Sequence, residues 1–150
     1  MLFIREIKQT DLSCVLSLHK ISMIAVNAYK GDGPWDNDLK DIKNSYKNGI
    51  FLVGLINCNI ICMGAIRKIN NLQCEVKRMR TVPQEQGKGY GAEILKKLIA
   101  YAKILNYHEI MLETSDQQQA AIHLYIKHGF KETRKELIDG FNCSWYSLML

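Results

Sequence analysis

The sequence predicts an α+β fold with αβα layers: a mixed, mostly antiparallel sheet of about seven strands flanked by about four helices. Three observations predict it. Three strand-like runs follow one another between residues 50 and 82, separated only by short Asn-rich turns. After Pro83 a strand–helix–strand passage to residue 113 implies one parallel pair. Asp139-Gly140 then joins two late strands as a hairpin.

The elements read in order as follows. Leu2–Ile7 is a short strand. Thr10-Asp11 caps a helix from Leu12 to Tyr29, with Val15, Leu16, Ile21 and Ile24 at helical spacing. Gly31-Asp32-Gly33-Pro34 breaks it, and a second helix runs from about Asp36 to Lys47, with Leu39, Ile42 and Tyr46 on one face. The meander comprises Ile50–Ile56, Ile60–Lys68 and Leu72–Val82, with turns at Asn57-Cys58-Asn59 and Asn70-Asn71. Gly91–Leu105 is helical, its Ile94, Leu95, Leu98, Ile99 and Ala102 facing inward and its lysines outward. Glu109–Glu113 is a strand. Asp116–Lys127 is a helix with Ala120, Ala121, Leu124 and Tyr125 on one side, and Lys131–Leu137 and Cys143–Leu150 complete the sheet.

The 150 residues suit a single domain spanning the chain, with no room for separate cofactor and substrate domains. A net charge of +5 without a basic run favours a small anionic ligand over nucleic acid. The longest apolar runs are strand-sized, so no membrane span is expected, and the charged N-terminal stretch lacks a secretory pattern. Five cysteines, odd in number and without CxxC, suit small core residues in a reducing cytoplasm better than disulfides or zinc. The four histidines lack ligand spacing, so no metal is expected.

The segment Val82-Pro83-Gln84-Glu85-Gln86-Gly87-Lys88-Gly89-Tyr90-Gly91-Ala92 carries the chemistry. A strand ends, a glycine-rich loop follows and a helix begins, so backbone N–H groups and the helix N-terminus can converge on an anion. No Gly-Lys is followed by Ser or Thr, which excludes a P-loop. Gly87, Gly89 and Ala92 fit a dinucleotide formula, but an antiparallel meander and a Pro-Gln-Glu spacer precede them. Gln86-Gly87-Lys88-Gly89-Tyr90-Gly91 matches the pyrophosphate loop of acetyl-coenzyme A enzymes in full.

With that loop the chain resembles the GNAT superfamily of N-acetyltransferases over nearly its whole length. Arg78 to Pro83 looks like the strand before the family's loop, and Leu124-Tyr125 followed by His128-Gly129-Phe130 is similar to its ending. Gly33-Pro34-Trp35 with Asp36 and Asp38 looks like a subgroup of small bacterial members. The resemblance implies acetyl-CoA as co-substrate, held by Met79, Arg80, Thr81, Gln86, Gly87, Lys88, Gly89, Tyr90, Gly91 and Gln118. Gln118 stands where many members have Asn. It also implies a splayed parallel strand pair, with the pantetheine arm completing its hydrogen bonds at Met79 and Thr81.

The residues themselves anticipate that splay. Cys74 and Val76 alternate with charged residues, but the next apolar residue is Met79, so one extra residue restores the face as a β-bulge does. Acetyl transfer needs a neutral amine and a proton for the departing thiolate. Glu75 is the base candidate by resemblance, or else a surface glutamate paired with Lys77 or Arg78; Glu113, at the end of the adjacent strand, is the other option. Tyr125 is the acid candidate, or else a core tyrosine on Phe130. A backbone N–H near Met79 or Thr81 would steady the oxyanion.

The expected activity is direct acetyl transfer to the primary amine of a small molecule or peptide, without a cysteine acyl-enzyme. Asp36, Asp38, Asp41 and Asp139 would draw a cationic acceptor, or form a solvated acidic face; Trp35 and Tyr29 would line its pocket or pack as core. The alternative is a non-catalytic acyl-CoA sensor. Trp145, Tyr146 and Leu148–Leu150 form an apolar terminus suited to a homodimer or to the core.

Overall fold

A computed structural model describes residues 1–150. Seven strands form one sheet: β1 (Phe3–Glu6), β2 (Ile50–Ile56), β3 (Asn59–Lys68), β4 (Gln73–Thr81), β5 (Glu109–Ser115), β6 (Lys131–Ile138) and β7 (Phe141–Met149). Their order is β1-β2-β3-β4-β5-β7-β6, and only β4 and β5 pair in parallel. The helices are α1 (Leu12–Ala25), α2 (Asn37–Lys40), α3 (Ile42–Ser45), α4 (Tyr90–Ile104) and α5 (Gln119–Lys127). Tight turns set the register. Asn57 and Cys58 both take positive φ, as do Asp139 and Gly140, the geometry that matches the twist of a hairpin.

Each sheet face buries its own core. On one face α4 and α5 set Ile94, Leu95, Leu98, Ile122 and Tyr125 against Ile66, Cys74, Val76, Ile110 and Leu112. On the other, Val15 and Leu18 of α1, with Leu39 and Tyr46, cover Phe51, Val53, Met63 and Ala65. Burying each such aliphatic side chain contributes about 1.5–3 kcal/mol, so both faces are held independently. Tyr146 is part of the first core and Leu148 and Leu150 pack against it, so core packing uses much of the apolar terminus.

Three local readings are corrected. The first helix stops at Ala25 rather than Tyr29, because Asn27 turns to φ +56°. The second helix is split into a 3-10 turn (Pro34–Asp36), α2 and α3, giving five helices; Asp41, at φ −147°, interrupts it and caps α3 with its side chain. The buried face of α1 is Val15, Leu18, His19 and Ser22, whereas Leu16, Ile21 and Ile24 are exposed. His19 turns inward onto Asp36 and Arg80, and Ser22 can do so because its hydroxyl donates back to the Leu18 and His19 carbonyls.

The centre of the sheet is open. β4 and β5 pair only over Gln73–Glu75 and Glu109–Met111, and beyond those residues they diverge. The cause lies on the other side of β4. Met63 of β3 pairs with Arg80 and Ala65 with Lys77, so Arg78 and Met79 together oppose Gly64. Arg78 is the bulge residue, at φ +60°. Gly64 permits it: a Cβ there would lie 2.5 Å from Met79 Sδ and 2.7 Å from Ile94 Cγ2.

Candidate active site

The loop from Gln86 enters α4 through two left-handed glycines, Gly87 at φ +80° and Gly89 at φ +88°. A side chain at either would be strained. The backbone N–H groups of Gly87, Lys88, Gly89, Tyr90, Gly91 and Ala92 find no acceptor in the protein. Six successive free amides at the head of a 15-residue helix form an anion nest, reinforced by the helix dipole. They flank a cavity of about 380 Å³ between the loop, the end of β4 and α5.

That cavity gathers Met79, Arg80, Thr81, Gln86, Gly87, Gly89, Tyr90, Gly91 and Gln118, with Ala120, Ala121 and Leu124 of α5 as its far wall. Lys88 lies outside it and pairs with Glu85 at 2.8 Å. The carbonyl of Met79 accepts Arg80 Nη1 at 2.7 Å and that of Thr81 accepts Gln86 Nε2 at 3.3 Å, so these two acceptors already have partners.

A second cavity, of about 160 Å³, opens on the α1 face of the same splay. Tyr29 and Trp35 line it from one side and Glu113, Ser115 and Cys143 from the other. Met23, Met79, Arg80 and Gln118 line both cavities and mark where they meet.

A buried ion network braces this junction. Arg78, with its side chain 8% exposed, donates Nε to Asp38 Oδ2 at 2.9 Å, Nη1 to Asp36 Oδ1 at 3.0 Å and Nη2 to the Trp35 carbonyl at 2.7 Å. It also donates to Asp38 Oδ1, and the Tyr46 hydroxyl donates to the same carboxylate. Burial works against the charged Asp38, but the Arg78 hydrogen bonds and charge outweigh it and take the carboxyl down to about 2. Asp36 also meets His19 Nε2 at 3.2 Å, while His19 Nδ1 accepts Arg80 Nε at 3.3 Å. Those partners require a neutral imidazole with its proton on Nε2. Burial and the charges of Arg80 and Arg78 agree, pulling His19 down to about 4. Arg80 Nη1 reaches Gln118 Oε1 at 3.3 Å, and Nη2 makes no hydrogen bond within the protein. Burial and then Arg78 lower this guanidinium to about 10, so it stays charged at neutral pH.

The acid–base candidates separate. Glu75 is 7% exposed, 3.2 Å from Arg67 and 3.8 Å from Lys77, and it lies outside the lining of both cavities. Glu113 lines the second cavity and has no cation within 4 Å. The Tyr125 ring packs on Phe130 with centroids 5.8 Å apart, while its hydroxyl has no protein partner and the residue lines the second cavity. Burial pushes that phenol up to about 12, so it is protonated at rest. Burial and neighbouring Glu113 likewise hold the Cys143 thiol up at about 12.

The four aspartates expected to attract a cation are already engaged. Asp36 and Asp38 hold Arg78, Asp41 caps α3, and Asp139 pairs with Lys30 at 3.0 Å. Sequence reasoning missed His19 and Ser115. His19 had no spacing signal, and Ser115 is visible only as a buried hydroxyl, 8% exposed, without a hydrogen-bond partner.

Residues 17–130 match the Acetyltransferase (GNAT) family, and the chain belongs to it. A similar curated protein is spermidine N(1)-acetyltransferase of Vibrio cholerae, 33% identical over 92 residues, covering 61% of this chain and 47% of that protein. The chain spans about half the length of curated relatives such as this one and rat N-acetyltransferase 8F1. Among solved structures, an acetyltransferase of the GNAT family from Staphylococcus aureus Mu50 superposes with a TM-score of 0.90 at 22% identity, covering 99% of both chains. The PaiA N-acetyltransferase of Thermoplasma acidophilum, solved in complex with coenzyme A, gives a TM-score of 0.80 at 20% identity, over 100% of this chain and 99% of that one.

Proposed function

We propose that this GNAT-family chain transfers an acetyl group from acetyl-CoA to a primary amine by direct attack. The observation that carries the reading is the run of six unpaired amides from Gly87 to Ala92 at the mouth of the larger cavity. A diphosphate supplies the acceptors those donors lack, and the cavity leads from them to the open end of β4, where an extended arm can lie between the splayed strands.

The chain's own residues then have these roles. Glu113 takes a proton from the bound ammonium, because it faces the acceptor cavity with no competing cation; Glu75 is held by Arg67 and Lys77. The amine nitrogen bonds to the thioester carbonyl carbon and the carbon–sulfur bond breaks. Tyr125, which lines the second cavity and whose hydroxyl has no protein partner, gives its hydroxyl proton to the departing sulfur. The nitrogen's second proton passes through solvent to the tyrosinate and restores Tyr125, Glu113 releases its proton to solvent, and the products are an amide and free coenzyme A.

The test combines titration calorimetry with acetyl-CoA and turnover of Tyr125→Phe. Wild type is expected to bind acetyl-CoA, and the variant to lose about 10²-fold in kcat with its acetyl-CoA KM little changed. Folded protein that does not bind acetyl-CoA overturns the reading.

A further inference from the structure

The acceptor cavity leaves two charges uncompensated. Four cationic side chains that line it are Lys30, Lys77, Arg78 and Arg80. Lys30 pairs with Asp139 at 3.0 Å, Lys77 with Glu75 at 3.8 Å, and Arg78 with Asp36 and Asp38. Arg80 alone has no carboxylate within 4 Å; its neighbours are neutral His19, Gln118 and a backbone carbonyl, and its Nη2 hydrogens are unused. Of the lining acids, Asp36 is held by Arg78 and His19, whereas Glu113 meets no cation. One guanidinium and one carboxylate therefore remain, both facing the same small space.

A third group is orphaned beside them. Ser115 lies two residues after Glu113 on β5, on the same face of the strand, and lines the same cavity. Its hydroxyl is buried with no partner in the protein. A buried polar atom left unpaired is costly, and an incoming ligand oxygen would relieve it.

We propose that the acceptor is an amino acid or amino-acid-like zwitterion, its carboxylate on Arg80 and Ser115 and its amine at Glu113. This rests on the acetyl-transfer reading and narrows its acceptor. A polyamine would meet a fixed, unpaired guanidinium and only one free carboxylate. An amine that carries its own carboxylate satisfies both charges and the hydroxyl. The Asp36–His19–Arg80 chain serves this site by fixing the guanidinium in one orientation, with Gln118 on its far edge.

The experiment measures coenzyme A release at saturating acetyl-CoA with free amino acids, their amides, putrescine and spermidine. At least one free amino acid is expected to exceed its amide in kcat/KM by about 10–100-fold, the discrimination of a charged hydrogen-bonded site. Arg80→Gln is expected to collapse that acid-over-amide ratio. Ser115→Ala is expected to raise the KM for the acid while raising the melting temperature, a combination that mere loss of structure does not give. Amides or diamines reacting as well as the free acids overturn the proposal, as does turnover of nothing in the panel by protein that binds acetyl-CoA. If Arg80→Gln does not fold, the wild-type ratio alone decides. Failure to bind acetyl-CoA in calorimetry marks failure of the acetyl-transfer reading itself.

Discussion

Replacing Asp38 with Asn tests whether the buried ion network holds the centre of the sheet. The substitution keeps the shape of the side chain but removes the charge that faces Arg78 and Tyr46. In the folded chain the Asp38 carboxyl sits at about 2; unfolded, it titrates near its ordinary value, about 3.9. At 1.36 kcal/mol per pH unit, that difference is roughly 2–3 kcal/mol of stability above pH 4. The folded pKa is the depressed one, so this contribution is full above about pH 4 and is lost as pH falls toward 2. Asn does not titrate, so the variant lacks that acid limb. A chain of this length shifts its Tm by about 2–4 °C per kcal/mol, which gives a loss of about 4–12 °C at pH 7. Melting followed by circular dichroism between pH 2 and 7 reads both effects. A second consequence is expected at the ligand site. Arg78 occupies a positive φ that costs about 1–3 kcal/mol and is held by its partners, so a loosened bulge should weaken acetyl-CoA binding several-fold. An unshifted Tm, or a loss of stability between about pH 4 and pH 2 as large in Asp38→Asn as in the wild type, would refute the account of what holds β4 bent.

Three further outcomes are expected. His19 is held down at about 4 against an ordinary value near 6.5, so its contribution is present above about pH 6.5 and lost as pH falls toward 4; His19→Asn should flatten that slope in a stability titration. Gly89→Ala places a Cβ at φ +88° and should cost about 1 kcal/mol of stability, with acetyl-CoA affinity falling about tenfold in calorimetry as the amide nest distorts. Gly49→Ala drives a Cβ into the Ile66 carbonyl oxygen, far from either cavity, and should lower the Tm without changing the acetyl-CoA Kd of the fraction that folds.

What the residues disclosed follows from how local each signal is. The bulge was visible as a one-residue phase slip between Val76 and Met79, because pleat alternation is a nearest-neighbour property. The phosphate loop was visible because its glycines and the helix they open are contiguous. The second helix was misjudged because Asp36 and Asp38 serve Arg78, 40 or more residues away, and that partnership has no sequence period. The face of α1 was misjudged for a related reason. Leu16, Ile21 and Ile24 satisfy a helical count, yet His19 turns inward to partners on other elements, Asp36 and Arg80, and Ser22 follows with its hydroxyl tied back to its own helix. Glu75 and Glu113 could not be ranked from sequence, since which carboxylate finds a cation depends on side chains from other strands, here Arg67.

Met23, Met79, Arg80 and Gln118 belong to both cavities at once, like a party wall between two rooms. A guest in either room would touch side chains that the other room shares, so the two occupancies would be coupled through that wall. Linkage makes the effect reciprocal: whatever factor acetyl-CoA applies to the acceptor's dissociation constant, the acceptor applies to that of acetyl-CoA.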